Sequence, residues 1–198
     1  MMRKAAEIGL VGFTALEEVG GGGNSWFKWD HVLEQIGYIC NDSGLPILLS
    51  YRESAANLVY RSGRQDLIER YVRPAVSGES FIGWAYSEGA DPFSFNTTVH
   101  KVSGGYEING EKLAVTGALG DEAFILYGVN EEKNDLIAVN VERDDPGLEI
   151  TPIQTMGLRS KGAGRINLGH KIRCHTERLN ASSRQILRQQ PQYGDADS

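Results

Sequence analysis

Two hydroxyl-bearing residues, Ser87 and Thr116, stand at the ends of segments with strand composition, Gly83-Trp84-Ala85-Tyr86-Ser87-Glu88 and Leu113-Ala114-Val115-Thr116-Gly117. If those strands are neighbours, both hydroxyls can face one planar heterocycle while Trp84 supplies an apolar wall beside it. Ordinary hydroxyls on half-buried strands are the competing account. Glu88 with Asp91, and Ser87 with a distant histidine, are the pairings that invite a catalytic reading. No motif such as G-x-S-x-G surrounds Ser87, so no catalytic residue is assigned. The histidines His31, His100, His170 and His175 lack metal-ligand spacing with a second ligand, and no metal site is assigned. Gly20-Gly21-Gly22-Gly23 is followed by no Lys-Ser/Thr pair, which predicts a flexible loop rather than a phosphate cradle. Glu17-Glu18 reads as a solvated face.

Composition narrows the classes of function. The 198 residues carry a formal charge of −6, spread along the chain without the basic stripe that nucleic acid requires. Hydrophobic residues make up 40% and charged residues 23%, the balance of a globular protein long enough to bury a core. Cys40 lies in a helical pattern and Cys174 near the C-terminus, which implies reduced thiols rather than a disulfide framework or a zinc cluster. No run approaches the ~20 apolar residues of a membrane span. Glu7 interrupts the apolar run behind the basic N-terminal tip. The expectation is a soluble cytoplasmic protein with no nucleic-acid or membrane partner.

The elements that must position Ser87 and Thr116 are legible in outline. Met2 to Leu10 supplies a short helix. From Trp29 to Cys40, Trp29, Val32, Leu33, Ile36 and Cys40 follow helical spacing, with Asp30, Glu34 and Gln35 on the wet side. A second amphipathic helix runs from Pro46 through Leu49, Ala55, Leu58 and Val59 to Gly63, and a third spans Gln65 to Val72 until Pro74 stops it. Beyond residue 80, short strand-like runs follow at regular spacing: Ala123 to Gly128, Leu136 to Asn140, Leu148 to Ile153 and Arg165 to Leu168. Asn109-Gly110, between Tyr106-Glu107-Ile108 and Glu111-Lys112-Leu113, predicts a two-residue type I′ hairpin. Asn134-Asp135 and Asp144-Asp145-Pro146-Gly147 are further turns.

These patterns predict an α+β chain: an N-terminal helical bundle fragment over residues 1–79, then an antiparallel β-sandwich or barrel over 80–179. No βαβ alternation supports a Rossmann fold. Residues 180–198 are polar and poor in apolar side chains, which predicts disorder.

An ordered series of segments adds a resemblance. Ala6-Glu7-Ile8-Gly9-Leu10, Glu17-Glu18-Val19-Gly20-Gly21, Tyr71-Val72-Arg73-Pro74-Ala75-Val76-Ser77-Gly78-Glu79, Gly105-Tyr106-Glu107-Ile108-Asn109-Gly110-Glu111-Lys112 and Met156-Gly157-Leu158-Arg159 together resemble the acyl-CoA dehydrogenase family. The resemblance runs to about Leu179 and implies a helical domain, a β domain and FAD bound against a further four-helix domain. It implies α,β-desaturation of an acyl-CoA or acyl-carrier-protein thioester, in which a carboxylate takes the α-proton and flavin takes the β-hydrogen as hydride. Residue by residue, it places Ser87 near flavin N5, Trp84 and Tyr86 on the strand leading to it, and Thr116 at the second flavin edge.

Departures from the family accompany these matches. Glu88-Gly89-Ala90-Asp91 is a shortened loop lacking the serine that meets the FAD pyrophosphate, and Ala114 replaces a flavin-covering Trp or Phe. The family's catalytic glutamate lies in the four-helix domain, beyond what this sequence resembles. The expectation is therefore a polypeptide without turnover by itself. A partner chain that supplies four helices would restore it. The other reading is a non-catalytic acyl- or pantetheine-binding module, and a homodimer is compatible with either.

Overall fold

Apolar residues at helical spacing give the first half of the chain its helices, and capping sets their ends. The computed structural model describes residues 2–89, 95–103, 105–130 and 135–169. The expected tail at 180–198 lies outside these residues, as do Asp91, Asn134, His170, Cys174 and His175. Helix α1 is Met2–Glu7. Helix α2 (Trp26–Ile39) begins where the Ser25 side chain accepts the Lys28 N–H, and it buries Trp29 completely, stacked on Phe13 at 5.2 Å. Helix α3 (Gly44–Arg61) begins before Pro46 because Asp42 accepts the Gly44 N–H at 2.8 Å. It buries Leu49, Ala55, Leu58 and Val59, and burial of each Leu and Val contributes ~1.5–3 kcal/mol.

Pro74 does not stop the third helix. The chain runs through α4 (Gln65–Leu67), a π turn (Ile68–Val72) and α5 (Arg73–Ser77), with Pro74 in the first turn of α5. The π turn shifts the bonding register, carrying the Arg73 N–H to the Ile68 carbonyl, so the donor that Pro74 lacks falls at a junction where it is tolerated. Gly20-Gly21-Gly22-Gly23 form a loop, as expected, and their backbone is tied to the preceding segment. Their N–H groups donate to the carbonyls of Glu17, Leu16, Gly12 and Ala15, respectively. Glu53 holds the facing segment, accepting the N–H of Gly12 at 3.0 Å and of Thr14 at 2.5 Å. Without side chains between them, two backbone segments meet and satisfy each other.

The second half is one curled, mixed sheet, so the chain is α+β. Its strands are β1 (Ile82–Ala85), β2 (Thr98–Val102), β3 (Gly105–Val115), β4 (Ala123–Asn130), β5 (Asp135–Glu142), β6 (Leu148–Pro152) and β7 (Gly164–Leu168). The order is β1-β4-β2-β3-β7-β6, with β5 also on β4. The β2–β3, β3–β7, β4–β5 and β6–β7 ladders are antiparallel as expected, whereas β1 and β2 each meet β4 in parallel. Neither parallel pair is joined by a tight turn, so nothing local forces opposed directions.

Asn109-Gly110 is not a hairpin turn. It lies inside β3, which pairs with β2 through Gly105–Asn109 and with β7 from Gly110 onward. Gly110 is the pivot between the two ladders: its φ is +152°, and a Cβ there would come within 2.7 Å of Thr97 Cα. Turn propensity lost to a close backbone crossing that only glycine permits.

Two apolar clusters involve the sheet. One joins the helices to the sheet through Val59, Leu67, Val72, Ile82, Ile125 and Tyr127. The other fills the curl of the sheet with Val99, Ile108, Val115, Phe124, Val139 and Ile166. Among the described residues no helix is long and apolar enough to cross a membrane.

Candidate functional site

Strand alternation in and beyond β1 sorts the sequence-predicted site residues onto different surfaces. Ile82, Trp84 and Tyr86 pack with the helix-facing cluster, while Ala85 packs inside the curl. The Trp84 ring lies 6.0 Å from Tyr86, 6.3 Å from Tyr127 of β4 and 6.2 Å from Tyr51 of α3. Trp84 Nε1 and the Tyr127 hydroxyl are buried with no hydrogen-bond partner among the described residues. Burial pushes the hydroxyls of Tyr86 and Tyr127 up in pKa, so both stay neutral.

Ser87 leaves the sheet beyond β1 and is exposed. Its carbonyl accepts the Leu113 N–H at 2.7 Å, which sets the exit of β1 beside the end of β3. Ala114 follows, exposed at φ +52°, where the β3–β7 register shifts between Lys112 and Val115. Thr116 comes next, 5% exposed. The structure thus brings the two strand ends together, one with an exposed hydroxyl and the other with a nearly buried one. Trp84 and Tyr86, on the segment leading to Ser87, pack toward the helices.

The turn after Thr116 is held from three directions. The N–H of Gly117 donates to the Lys161 carbonyl at 2.8 Å and that of Leu119 to the Gly162 carbonyl at 3.2 Å. Arg143 donates to the carbonyls of Ala118 and Asp121. From α3, Arg52 grips Asp121 Oδ1 through Nε at 2.8 Å and Nη2 at 2.5 Å, while its guanidinium lies 3.9 Å from the Phe81 ring centroid. Asp121 is completely buried, and burial pushes its carboxyl up to about 6 despite Arg52 and Arg143. Gly117, at φ +82°, lets the backbone turn over this carboxylate: a Cβ there would sit 2.8 Å from Asp121 Cγ.

Asp91 lies outside the described residues; the charged partner that the structure shows for Glu88 is Lys112. Their ion pair has side chains 4% and 0% exposed, and Lys112 also donates to the Tyr86 carbonyl at 3.3 Å. Glu88 further accepts the N–H groups of Asn96 and Thr97. Burial pushes the Glu88 carboxyl up, but the bonds from Lys112, Thr97 and Asn96 outweigh it and leave it below the ordinary range. Burial pushes Lys112 down to about 8, against the pull of Glu88.

Sequence reasoning missed Arg52, Lys112, Asp121 and Arg143. The signal for Arg52 was present: Arg52 and Glu53 interrupt the apolar stripe that carries Leu48, Leu49, Ala55 and Ala56, and buried charges require partners. A cavity of about 10 Å³, room for about one water, is lined by Leu49, Arg52, Glu53 and Phe81 on the helical side, and Ser87 is not among its lining residues.

Comparisons with known proteins agree with this architecture. Residues 1–79 match the family described as acyl-CoA dehydrogenase, N-terminal domain. The chain is 30% identical over 174 residues to the probable acyl-CoA dehydrogenase YngJ of Bacillus subtilis, covering 84% of this chain and 46% of that protein. It is 26% identical over 157 residues to the L-prolyl-[peptidyl-carrier protein] dehydrogenase of a Serratia species, covering 76% and 41%. The fold matches the FAD complex of PigA with a TM-score of 0.83 at 24% identity, covering 91% of this chain and 49% of that one. The chain spans about half the length of the curated relatives it matches. Helices followed by a curled sheet, the matched N-terminal domain and these relatives make the chain a member of the acyl-CoA dehydrogenase family.

Proposed function

We propose that this chain supplies the helical part (1–79) and the β part (80–179) of a flavin-dependent acyl-thioester dehydrogenase. Trp84, Tyr86, Ser87 and Thr116 are its contribution to the FAD site. The observation that carries this reading is the Ser87–Leu113 backbone bond, which sets the two hydroxyl-bearing strand ends beside each other. An exposed hydroxyl at Ser87 and a nearly buried one at Thr116, with Trp84 and Tyr86 on the segment leading to Ser87, fit the hydrogen-bonding edge of an isoalloxazine ring. When bound, FAD supplies the acceptor for the substrate's β-hydrogen. The chain's own residues orient that ring and wall it from the helices.

The α-proton needs a carboxylate with a free oxygen at the substrate. Glu88 is committed to Lys112, Asn96 and Thr97, and Asp121 is paired with Arg52 through Oδ1 and completely buried, out of a substrate's reach, so neither acts as the base. Turnover by this polypeptide alone is therefore not expected, and helices bearing a carboxylate, supplied by a partner chain, restore it. The substrate class is an acyl-CoA or carrier-protein thioester, as the names of the relatives support. Exposed Ala114, with no large side chain to cover a flavin, favours a second reading: an acyl- or pantetheine-binding module without redox chemistry.

Titration with FAD, followed by flavin fluorescence, tests the site. Ser87→Ala and Thr116→Val should each weaken binding by up to about tenfold, the loss of one net hydrogen bond. Equal affinity in both variants and the unaltered protein would remove these residues from the site.

A further inference from the structure

Arg52 and Asp121 are 8% and 0% exposed, and they bond across the junction between α3 and the turn that begins at Thr116. Desolvating two charges is costly, and such a pair does not outperform well-packed apolar residues of the same volume. Stability alone is thus a weak reason for this pair to stand here. Its geometry has a directional consequence instead. Asp121 lies four residues past Gly117, whose N–H donates to the Lys161 carbonyl, and the Asp121 N–H closes the turn by donating to the Gly117 carbonyl at 2.9 Å. Arg143 holds the same turn through main-chain carbonyls only, so Arg52 is the one of the two that reaches it through a side chain from the helical layer.

We propose that Arg52 is a positioning residue for Thr116: its ion pair with Asp121 makes the placement of the hydroxyl turn depend on the seating of α3 against the sheet. This rests on Thr116 being a flavin contact, and it adds that the helical layer sets flavin affinity without touching flavin. Loosening α3 should release the turn and weaken flavin binding together, while the β4–β5 and β6–β7 ladders, which carry no part of the pair, keep their protection.

Amide hydrogen exchange on the full chain, with and without FAD, tests the proposal. The variants are Arg52→Met, Arg52→Lys and the double variant Arg52→Met/Asp121→Leu, which leaves no unpaired charge. Arg52→Met and the double variant should speed exchange at Gly117, Leu119 and Asp121 by about tenfold or more relative to β5 and β7, and FAD affinity should fall in parallel. Arg52→Lys keeps the charge without the two-donor grip and should fall between. Unchanged exchange in the turn of the double variant, or an equal rise throughout the sheet, overturns the proposal. If the unaltered protein takes up no FAD, the flavin reading fails, and turn-specific exchange still decides whether Arg52 positions Thr116.

Discussion

Leu113 donates its backbone N–H to the Ser87 carbonyl at 2.7 Å, and this bond sets the segment leaving β1 against the end of β3. The order of strands in the sheet does not make β1 and β3 ladder neighbours. The curl of the sheet brings them together, and this bond spans the gap. Leu113→Pro removes the donor while keeping an apolar side chain. It should cost about 1–3 kcal/mol in urea unfolding and weaken FAD binding more than an equally destabilising change elsewhere. Equal loss of FAD affinity in a stability-matched control would show that the bond carries no special weight.

Lys112 and Glu88 form a buried pair beneath that junction, with Tyr86 bonded to it through its carbonyl. Lys112→Met leaves the Glu88 carboxylate buried without its cation and should destabilise by about 3–5 kcal/mol. The double variant Lys112→Met/Glu88→Gln should recover much of that loss, measured as a double-mutant cycle in urea. Strict additivity of the two changes would contradict the pairing.

Gly110→Ala places a methyl group against Thr97 where β3 crosses from one ladder to the other. The expected loss is about 1–3 kcal/mol from overpacking, read from the midpoint of thermal or urea unfolding. A neutral substitution would mean that the crossing is looser than the structure describes.

Two buried carboxyls respond to pH with opposite signs. Asp121, raised to about 6 from 3.8 by burial, keeps a proton in the fold that the unfolded chain has released. Its contribution to stability is full below 3.8 and is lost as pH rises through about 6. Glu88 is lowered from 4.5, so its contribution is present above 4.5 and lost as pH falls through its folded value. Asp121→Asn should therefore flatten the decline in stability across pH about 4 to 7 while leaving the acid limb in place, as urea midpoints at a series of pH values will show. A decline of the same size in the variant would assign it to another group.

The sequence was readable where a local period and the tertiary environment agree. Ala123 to Gly128 and Leu136 to Asn140 are apolar because β4 and β5 pack on both faces, against the helices on one and inside the curl on the other, and both runs became strands. Trp29, Leu49, Ala55 and Val59 sit on the helix faces that spacing assigned to the core. Reading failed where a distant segment overrides a local preference. Asn109-Gly110 has turn chemistry, but the approach of Thr97 uses the glycine as a pivot inside a strand. Pro74 ordinarily breaks a helix, but the preceding π turn moves the junction to suit it. Ser87 and Thr116 could be named from their types and segments, whereas the Arg52–Asp121 contact that holds the turn after Thr116 spans 69 positions of sequence and has no local pattern.

The most direct test of the account is the flavin stoichiometry of the folded, purified protein, from visible absorbance against protein concentration before and after incubation with excess FAD. The account predicts that FAD is taken up toward one equivalent per chain, less in Ser87→Ala and Thr116→Val, with no dehydrogenation of an acyl thioester until a carboxylate-bearing helical partner is added. No FAD uptake by protein shown to be folded would contradict the flavin site and leave the acyl-binding module as the reading of this chain.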